Sequence, residues 1–141
     1  MCDNNSYSVK ISDLYPGTTF LYRKNSYSIS HLYIILTDCE DVNGVLCVVS
    51  VNITTQTRIG RGSDTTVILN VGDHPFIKKP SVVNYNDAEF SSVEKLIRYI
   101  NEEQSLNDDD LEKEVLRKIQ QGLLDSDRTP IEILEYCQNK F

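Results

Sequence analysis

Two histidines are the only imidazoles among the 141 residues, and each stands beside a turn or a polar loop. His31 follows the polar stretch 23–30, and His74 lies in Gly72-Asp73-His74-Pro75. Because an imidazole titrates near neutral pH, one histidine can accept a proton while another donates one. Cleavage of a phosphodiester by a neighbouring 2′-hydroxyl needs this division of work. The alternative is structural: His31 caps a strand end, and His74 holds its turn through Asp73.

Hydroxyl and basic side chains supply the second requirement of this chemistry, which is the binding of phosphate. Thr54 and Thr55 end a hydrophobic run, where their hydroxyls can contact phosphate oxygens, although threonine is also a common strand residue. Four basic side chains stand against two acidic ones between residues 56 and 79, namely Arg58, Arg61, Lys78 and Lys79. This local excess suits a phosphate backbone, and a solvated loop surface is an equally good interpretation.

Tyrosine is the third candidate for nucleic-acid contacts. The chain has eight tyrosines and no tryptophan. Four of them lie near the predicted strands and loops and can stack on bases: Tyr22, Tyr27, Tyr33 and Tyr85. We assign Tyr85 to substrate binding. Tyrosines of a sheet also serve as half-buried packing residues, which is the alternative.

Composition narrows the function classes. The net charge of −7 excludes a uniformly basic nucleic-acid coat, and the acidity is concentrated in residues 91–141, which hold twelve acidic and seven basic side chains. The cysteines match no zinc spacing, so we expect no metal and no cofactor, with Cys47 and Cys137 as core thiols. No apolar run approaches the ~18 residues of a membrane helix, and the first residues are polar. We therefore expect a cytoplasmic protein without a membrane partner.

The first ninety residues have the pattern of short strands separated by turns. Asn43-Gly44 is a dipeptide that favours a tight hairpin. Regular turns between short apolar runs indicate a small antiparallel barrel or a curled sheet. The predicted strands are Thr18–Tyr22, His31–Thr37, Val45–Thr55, Thr65–Val71, Ser81–Tyr85 and Ala88–Phe90.

The last fifty residues have a helical period. Ser91 to Glu94 forms a capping box before the first helix, Asn107 or Asp108 begins the second, and Gly122 ends it. A third helix starts at Thr129-Pro130. The predicted buried stripes are Val93, Leu96, Ile97 and Ile100, then Leu111, Val115 and Ile119, then Ile131, Leu134 and Cys137. We expect one domain overall, with a barrel over residues 1–90 and a helical extension over 91–141.

Several short segments resemble the PemK/MazF-like toxins. Tyr15-Pro16-Gly17-Thr18-Thr19-Phe20 is similar to the opening of that family, and Val45–Thr55 is similar to its third strand. Lys79–Ala88 resembles its later Ser-Val-Val strand. Gly72-Asp73-His74-Pro75-Phe76-Ile77 also looks like a segment of some uncharacterised small prokaryotic proteins. The resemblance implies an α+β fold, a small antiparallel SH3-like β-barrel followed by about three helices. It also implies a homodimer and RNA cleavage that an antitoxin neutralises.

The family's residues carry over only in part. Its catalytic threonine or serine after the third strand corresponds to Thr54 or Thr55. Its catalytic arginine before the second strand is replaced here by Ser30-His31. Either His31 has taken over that role, with His74 as its partner, or the barrel is not a nuclease. The acidic helices are a dimer element or a cover that mimics an antitoxin.

The sequence therefore favours a metal-independent endoribonuclease of a toxin–antitoxin system. His31 and His74 are the predicted acid–base pair, and Thr54 or Thr55 contacts the scissile phosphate. The predicted substrate-binding residues are Arg58, Arg61, Lys78, Lys79 and Tyr85. The expected partners are an RNA substrate, an antitoxin protein and a second copy of the chain. The alternative is a catalytically inactive barrel that binds protein or nucleic acid.

Overall fold

The computed structural model describes residues 8–23, 25, 27, 29–55, 62–103, 105–107 and 109–141. These residues form an α+β fold, in which a curled antiparallel half-barrel carries three helices. The strands are β1 Thr19–Tyr22, β2 His31–Ile35, β3 Glu40–Val42, β4 Val45–Thr55, β5 Ile68–Leu69, β6 Ser81–Ser92 and β7 Leu106–Asn107. The helices are α1 Val93–Glu103, α2 Lys113–Asp125 and α3 Ile131–Cys137, and a 3₁₀ turn spans Ile11–Asp13.

The sheet is built around β4. Its strand order is β5-β6-β4-β2-β1-β7, and β3 pairs with the first residues of β4. Asn43 (φ 53°) and Gly44 (φ 88°) both adopt the left-handed region between β3 and β4. Two consecutive residues with positive φ give the tight turn that Asn-Gly favours, so the predicted hairpin is confirmed.

Alternation along the strands divides the core into two layers, because successive side chains of a strand point to opposite faces of the sheet. One layer packs beneath α2 and α3 and includes Leu32, Ile34, Val51, Val83, Ile119, Leu123, Ile133 and Cys137. The other lies beneath α1 and includes Phe20, Tyr33, Ile35, Val48, Val93, Leu96 and Ile100. Tyr33 belongs to this second layer, and the half-buried Tyr22 packs against it.

The edges of the sheet differ from the sequence prediction. The predicted strand Thr65–Val71 is reduced to the two residues of β5, and the two predicted last strands are a single β6. The boundary predicted at residue 90 falls inside β6. The short β7 pairs with β1 from a position between two helices, and two residues give no periodic signal that would predict it.

The first helix begins at Val93, one residue later than a capping box that starts at Ser91 would place it. The Ser92 Oγ accepts a hydrogen bond from the backbone N–H of Lys95 at 3.3 Å, and is therefore the capping side chain. The Ser91 Oγ lies 2.9 Å from the Ser50 Oγ on the neighbouring strand instead. The predicted cap at Ser91 is therefore wrong, because Ser91 still pairs within the sheet and Ser92 caps the helix.

Both ends of the second helix were predicted wrongly, because α2 spans Lys113–Asp125. It begins at Lys113, because the preceding segment is held in extended form by the bond from the Leu111 N–H to the Gly17 carbonyl, 3.0 Å. Gly122 lies inside α2 rather than after it. A Cβ there would overlap the Tyr85 hydroxyl and the Val67 side chain, so glycine permits the close approach of α2 to the sheet. The Tyr85 hydroxyl donates to the Ile119 carbonyl at 2.7 Å.

The third helix follows Pro130 as predicted, and of its predicted buried stripe Cys137 is confirmed whereas Ile131 is wrong. The buried residues are Ile133 and Cys137, whereas Ile131 is 62% exposed. Thr129 donates its hydroxyl to the Leu123 carbonyl at 2.7 Å, which ties the start of α3 to the end of α2. Cys47 and Cys137 are buried free thiols, as predicted. Burial raises the pKa of the Cys137 thiol to about 11.

The helices were also compared with the length and apolarity that a membrane span requires. In the described part of the chain, no helix is long and apolar enough to cross a bilayer.

Candidate functional site

An open cavity of about 400 Å³ lies at the end of the sheet face that α1 leaves uncovered. We call it the His31 cavity. Side chains from β1, β2, β4 and β6 and from the loop before β2 line it: Tyr22, Arg23, Ile29, His31, Tyr33, Asn52, Thr54, Asn84 and Asp87. The cavity thus brings together two of the predicted catalytic residues, His31 and Thr54.

Strand register explains why these side chains share one face. His31 stands opposite Tyr22, and Tyr33 stands opposite Asn52, which in turn stands opposite Asn84. Since Leu32 pairs with Ile53, continuing the same register places His31 opposite Thr54. Directly opposed residues of an antiparallel pair have neighbouring side chains.

An irregularity in β6 adds a carboxylate to the cavity. Ser50 pairs with Glu89 and Asn52 pairs with Asn84, so Val51 of β4 stands opposite the four residues 85–88 of β6. The extra residues form a bulge, and bulges redirect side chains next to sites. Asp87 lies in this bulge and lines the cavity.

Two asparagines fix the polar wall of the cavity. The Asn84 Nδ2 donates one hydrogen to the Asn52 Oδ1 at 2.6 Å and the other to the Thr54 Oγ1. Because the Thr54 oxygen accepts this bond, its own hydroxyl proton is free to point to another acceptor. Thr54 is therefore a hydrogen-bond donor toward whatever enters the cavity.

Tyr33 supplies a second hydroxyl. Burial raises the pKa of the Tyr33 phenol, the hydrogen bond with Asn52 lowers it, and the negative charges of Glu89 and Asp87 raise it further. The net effect is a pKa above the ordinary value, so the phenol is protonated at neutral pH. Its ring packs edge-on against Tyr22, with centroids 5.4 Å apart.

The charges of the cavity complete a set suited to phosphate chemistry. Arg23 contributes a guanidinium, His31 an imidazole, and Asp87 a carboxylate. A guanidinium and two hydroxyl donors can hold an anion, while an imidazole and a carboxylate can exchange protons with it.

His74 lies in a different environment. It is only 2% exposed and borders a separate cavity of about 340 Å³ together with Lys78, Asp110 and Glu112. Its Nδ1 accepts the Phe76 N–H at 3.0 Å, so the ring proton is on Nε2, which donates to the Asp109 carbonyl at 2.6 Å. Both nitrogens are thus engaged in holding the segment before α2 against the turn 72–76.

Protein-family models, curated proteins and solved structures were all compared with this chain. None of the three comparisons found a match. The chemistry of the cavity therefore carries the functional argument.

The other predicted site residues that the structure describes do not line the His31 cavity. Thr55 is exposed at the end of β4, and Lys78 and Lys79 are exposed on the His74 side of the fold. Tyr85 is fully buried beneath α2, so we assign it to the core rather than to substrate binding. Arg58 and Arg61 lie outside the described residues.

Four polar residues of the cavity were absent from the predicted site, namely Arg23, Asn52, Asn84 and Asp87. Asn52 stands two residues before Thr54 in a strand, and this spacing places both side chains on one face. The pairing with Asn84 requires the register, and the position of Asp87 requires the bulge. Among the described residues, no three His, Cys, Asp or Glu side chains cluster closely enough to hold a metal ion.

Proposed function

We propose that this chain is an endoribonuclease of toxin type, which cleaves RNA in the His31 cavity by attack of a 2′-hydroxyl on the adjacent phosphate. The proposal includes an SH3-like barrel of the PemK/MazF-like kind. The observation that carries it is the single cavity shared by His31, Asp87 and Arg23. A metal-independent phosphoryl transfer needs a proton donor, a proton acceptor and a fixed cation, and these three side chains supply them in that order.

The proton transfers are divided between Asp87 and His31. The Asp87 carboxylate accepts the proton of the 2′-hydroxyl as that oxygen attacks phosphorus. The His31 imidazolium donates a proton to the 5′-oxygen as its bond to phosphorus breaks. The products are a 2′,3′-cyclic phosphate and a 5′-hydroxyl. This pair replaces the predicted pair of His31 with His74, because both nitrogens of His74 hold backbone groups.

The phosphate is bound by donors on the walls of the cavity. The Arg23 guanidinium offsets the negative charge that grows on the non-bridging oxygens, and the hydroxyls of Thr54 and Tyr33 donate to the same oxygens. Asn84 and Asn52 hold these two hydroxyls in place before the substrate arrives. Donors fixed in advance stabilise a transition state more than donors that must reorganise.

The remaining parts of the proposal concern the cell. The protein acts in the cytoplasm of a prokaryote, where an antitoxin protein neutralises it, and it forms a homodimer. Because the net charge of −7 disfavours RNA binding along a broad basic surface, the proposal places the contacts locally, at Arg23 and the hydroxyl donors.

A cleavage assay in EDTA tests the proposal. We expect the wild-type protein to cut a mixture of single-stranded and structured RNAs at defined places, leaving 2′,3′-cyclic phosphate ends. Asp87→Asn and His31→Ala should each lose most of this activity. Asp127→Asn is the matched control, since Asp127 is an exposed carboxylate that does not line the His31 cavity.

The assay also separates the proposal from its alternative. Tight binding of RNA without any cleavage would identify a non-catalytic binding module and overturn the enzymatic proposal. Cleavage that persists in both folded variants would show that the chemistry takes place elsewhere.

A further inference from the structure

We propose that a second cavity, next to the His31 cavity, binds one guanine base of the RNA beside the scissile phosphate. We call it the tyrosine cavity. It has a volume of about 190 Å³, and Tyr22, Tyr33, Tyr99, Glu89 and Lys95 are among its lining residues. The inference rests on the proposed function for its RNA substrate, although base binding can be measured without cleavage.

The two cavities adjoin at shared side chains. Tyr22 and Tyr33 line both of them. The hydroxyl of Tyr99, which also lines the tyrosine cavity, accepts the backbone N–H of Arg23 at 3.3 Å. A nucleotide whose phosphate lies in the His31 cavity therefore has an adjoining space for its base.

The size and the aromatic walls of the tyrosine cavity suit a single base. Its volume is below the ~300–1,000 Å³ of ordinary ligand pockets, so it fits a planar ring system rather than a whole nucleotide. Tyr22 and Tyr99 are half-buried, and their ring centroids lie 4.7 Å apart with the planes tilted by 55°. Tilted rings with partly exposed faces offer a surface on which an unpaired base can stack.

The polar side chains of the same cavity favour guanine over the other bases. The Watson–Crick edge of guanine presents two adjacent N–H donors, on N1 and N2, followed by the O6 acceptor. The Glu89 carboxylate can accept from both donors, and the Lys95 ammonium can donate to O6. Adenine and cytosine present a ring-nitrogen acceptor at the position of N1–H, and uracil presents one N–H between two carbonyl acceptors. Each of these edges would meet the carboxylate with at least one acceptor.

The fold also explains why these two carboxylates serve different cavities. Asp87 lies in the bulge of β6, and Glu89 resumes the regular pairing with Ser50 two residues later. The bulge thus separates an acid–base residue in one cavity from a base-reading residue in the next.

Equilibrium binding of the four nucleoside 3′,5′-bisphosphates, followed by calorimetry, tests the inference. These probes carry a phosphate on either side of the ribose and have no internucleotide bond to cleave. We expect guanosine 3′,5′-bisphosphate to bind at least about tenfold more tightly than the other three, which is the scale of one bidentate base contact. Glu89→Gln should remove this preference, and Tyr99→Leu should weaken all four probes by about tenfold.

Glu94→Gln is the matched control, because Glu94 is an exposed glutamate of α1 that does not line the tyrosine cavity. Equal affinity for the four probes, or a guanine preference that survives Glu89→Gln, would overturn the inference. RNA cleavage without guanosine beside the cut would refute the base site while leaving the nuclease intact. Selective guanosine binding by a protein that cuts no RNA would refute the nuclease instead.

Discussion

The two histidines occupy regions that have opposite physical character. His31 is half-buried at the rim of an open cavity, among hydroxyl, amide and charged side chains. His74 is buried, and both of its nitrogens are bonded to backbone groups of the turn 72–76 and of the segment before α2. The same side chain is thus available for proton transfer in one region and committed to holding the fold in the other.

The difference comes from what covers each part of the sheet. The face beneath α2 and α3 is closed by a helix that approaches the sheet at Gly122 and by the segment that His74 holds. The opposite face is closed only as far as α1 reaches, and the polar ends of the strands remain open. The type of side chain alone does not distinguish the two histidines, whereas the bonds from both His74 nitrogens to backbone groups do.

The largest expected effect is on the cleavage rate and concerns the His31 cavity. His31→Ala should lower the cleavage rate at saturating RNA by about 10²–10⁴-fold, because it removes the proton donor to the leaving oxygen. The melting temperature should stay nearly unchanged, since His31 contributes little to either core layer. Stopped-assay kinetics and calorimetry measure the two quantities. A rate within a factor of three of the wild type would contradict the role given to His31.

For the sheet face beneath α2 and α3, which we call the covered region, the largest expected effect is on stability and lies at Gly122. Helix propensity alone predicts that Gly122→Ala stabilises the protein by about 1 kcal/mol. The packing predicts the opposite sign, a loss of about 3 kcal/mol, because the new Cβ would overlap Tyr85 and Val67. Urea unfolding at pH 7 decides between the signs. Gln121→Ala, at the exposed neighbouring position of α2, is the control and should change stability by less than ~0.5 kcal/mol.

His74→Ala should act on stability rather than on chemistry. It removes the acceptor of the Phe76 N–H and one of the two donors to the Asp109 carbonyl, which still accepts from the Thr19 hydroxyl. It also removes a buried imidazole from the packing, so the total cost should be about 2 kcal/mol. At a temperature where the variant is folded, its cleavage rate at saturating RNA should be close to that of the wild type. Unfolding curves and rates measured on one preparation would show whether the two effects separate. A variant that is as stable as the wild type but inactive would contradict the structural role given to His74.

A smaller effect is expected from Asn84, which positions donors without contacting the reacting atoms. Asn84→Ala removes both hydrogen bonds that orient Asn52 and Thr54, so the cleavage rate should fall by about tenfold. Rate and affinity measured separately would place the loss mainly in the rate. Asn86→Ala, an exposed change in the same strand outside the cavity, should leave both quantities unchanged.

The mildest test concerns the pH dependence of the covered region. Burial raises the pKa of the Asp64 carboxyl, but hydrogen bonds from Ser126 and Thr66 and the charge of Arg128 lower it more, so the pKa is below its ordinary value. The stability that Asp64 contributes is therefore present above pH ~4 and is lost as the pH falls through the lowered pKa. Melting temperatures from pH 7 to pH 2 should fall less steeply for Asp64→Asn. Parallel curves would contradict this assignment.

Periodicity predicted much of the fold because many of its elements depend on local signals. The buried run at His31–Thr37, the Asn43-Gly44 hairpin and the start of α3 after Pro130 each follow from residues close in sequence. Gly122 shows the limit of such signals. Its place inside a helix follows from contact with Tyr85, 37 positions earlier in the sequence, and no local pattern contains that contact.

The site was predictable in part for the same reason. His31 and Thr54 were identified by residue type and by their positions at strand ends, and the register brings them together. The Asp87 position depends on a bulge, and the commitment of His74 depends on a carbonyl 35 residues away. Both are long-range features, so the predicted pair joined two histidines that the fold separates.

The different roles of the two histidines can be tested in one experiment. A single end-labelled RNA would be cleaved in EDTA by the wild-type protein, His31→Ala and His74→Ala, all at saturation and below the melting temperatures of the three proteins. We expect the wild type and His74→Ala to give 2′,3′-cyclic phosphate products at similar rates. The cleavage rate of His31→Ala should be lower by at least about 100-fold. Equal activity of the two folded variants, or no cleavage by the wild type, would contradict these roles.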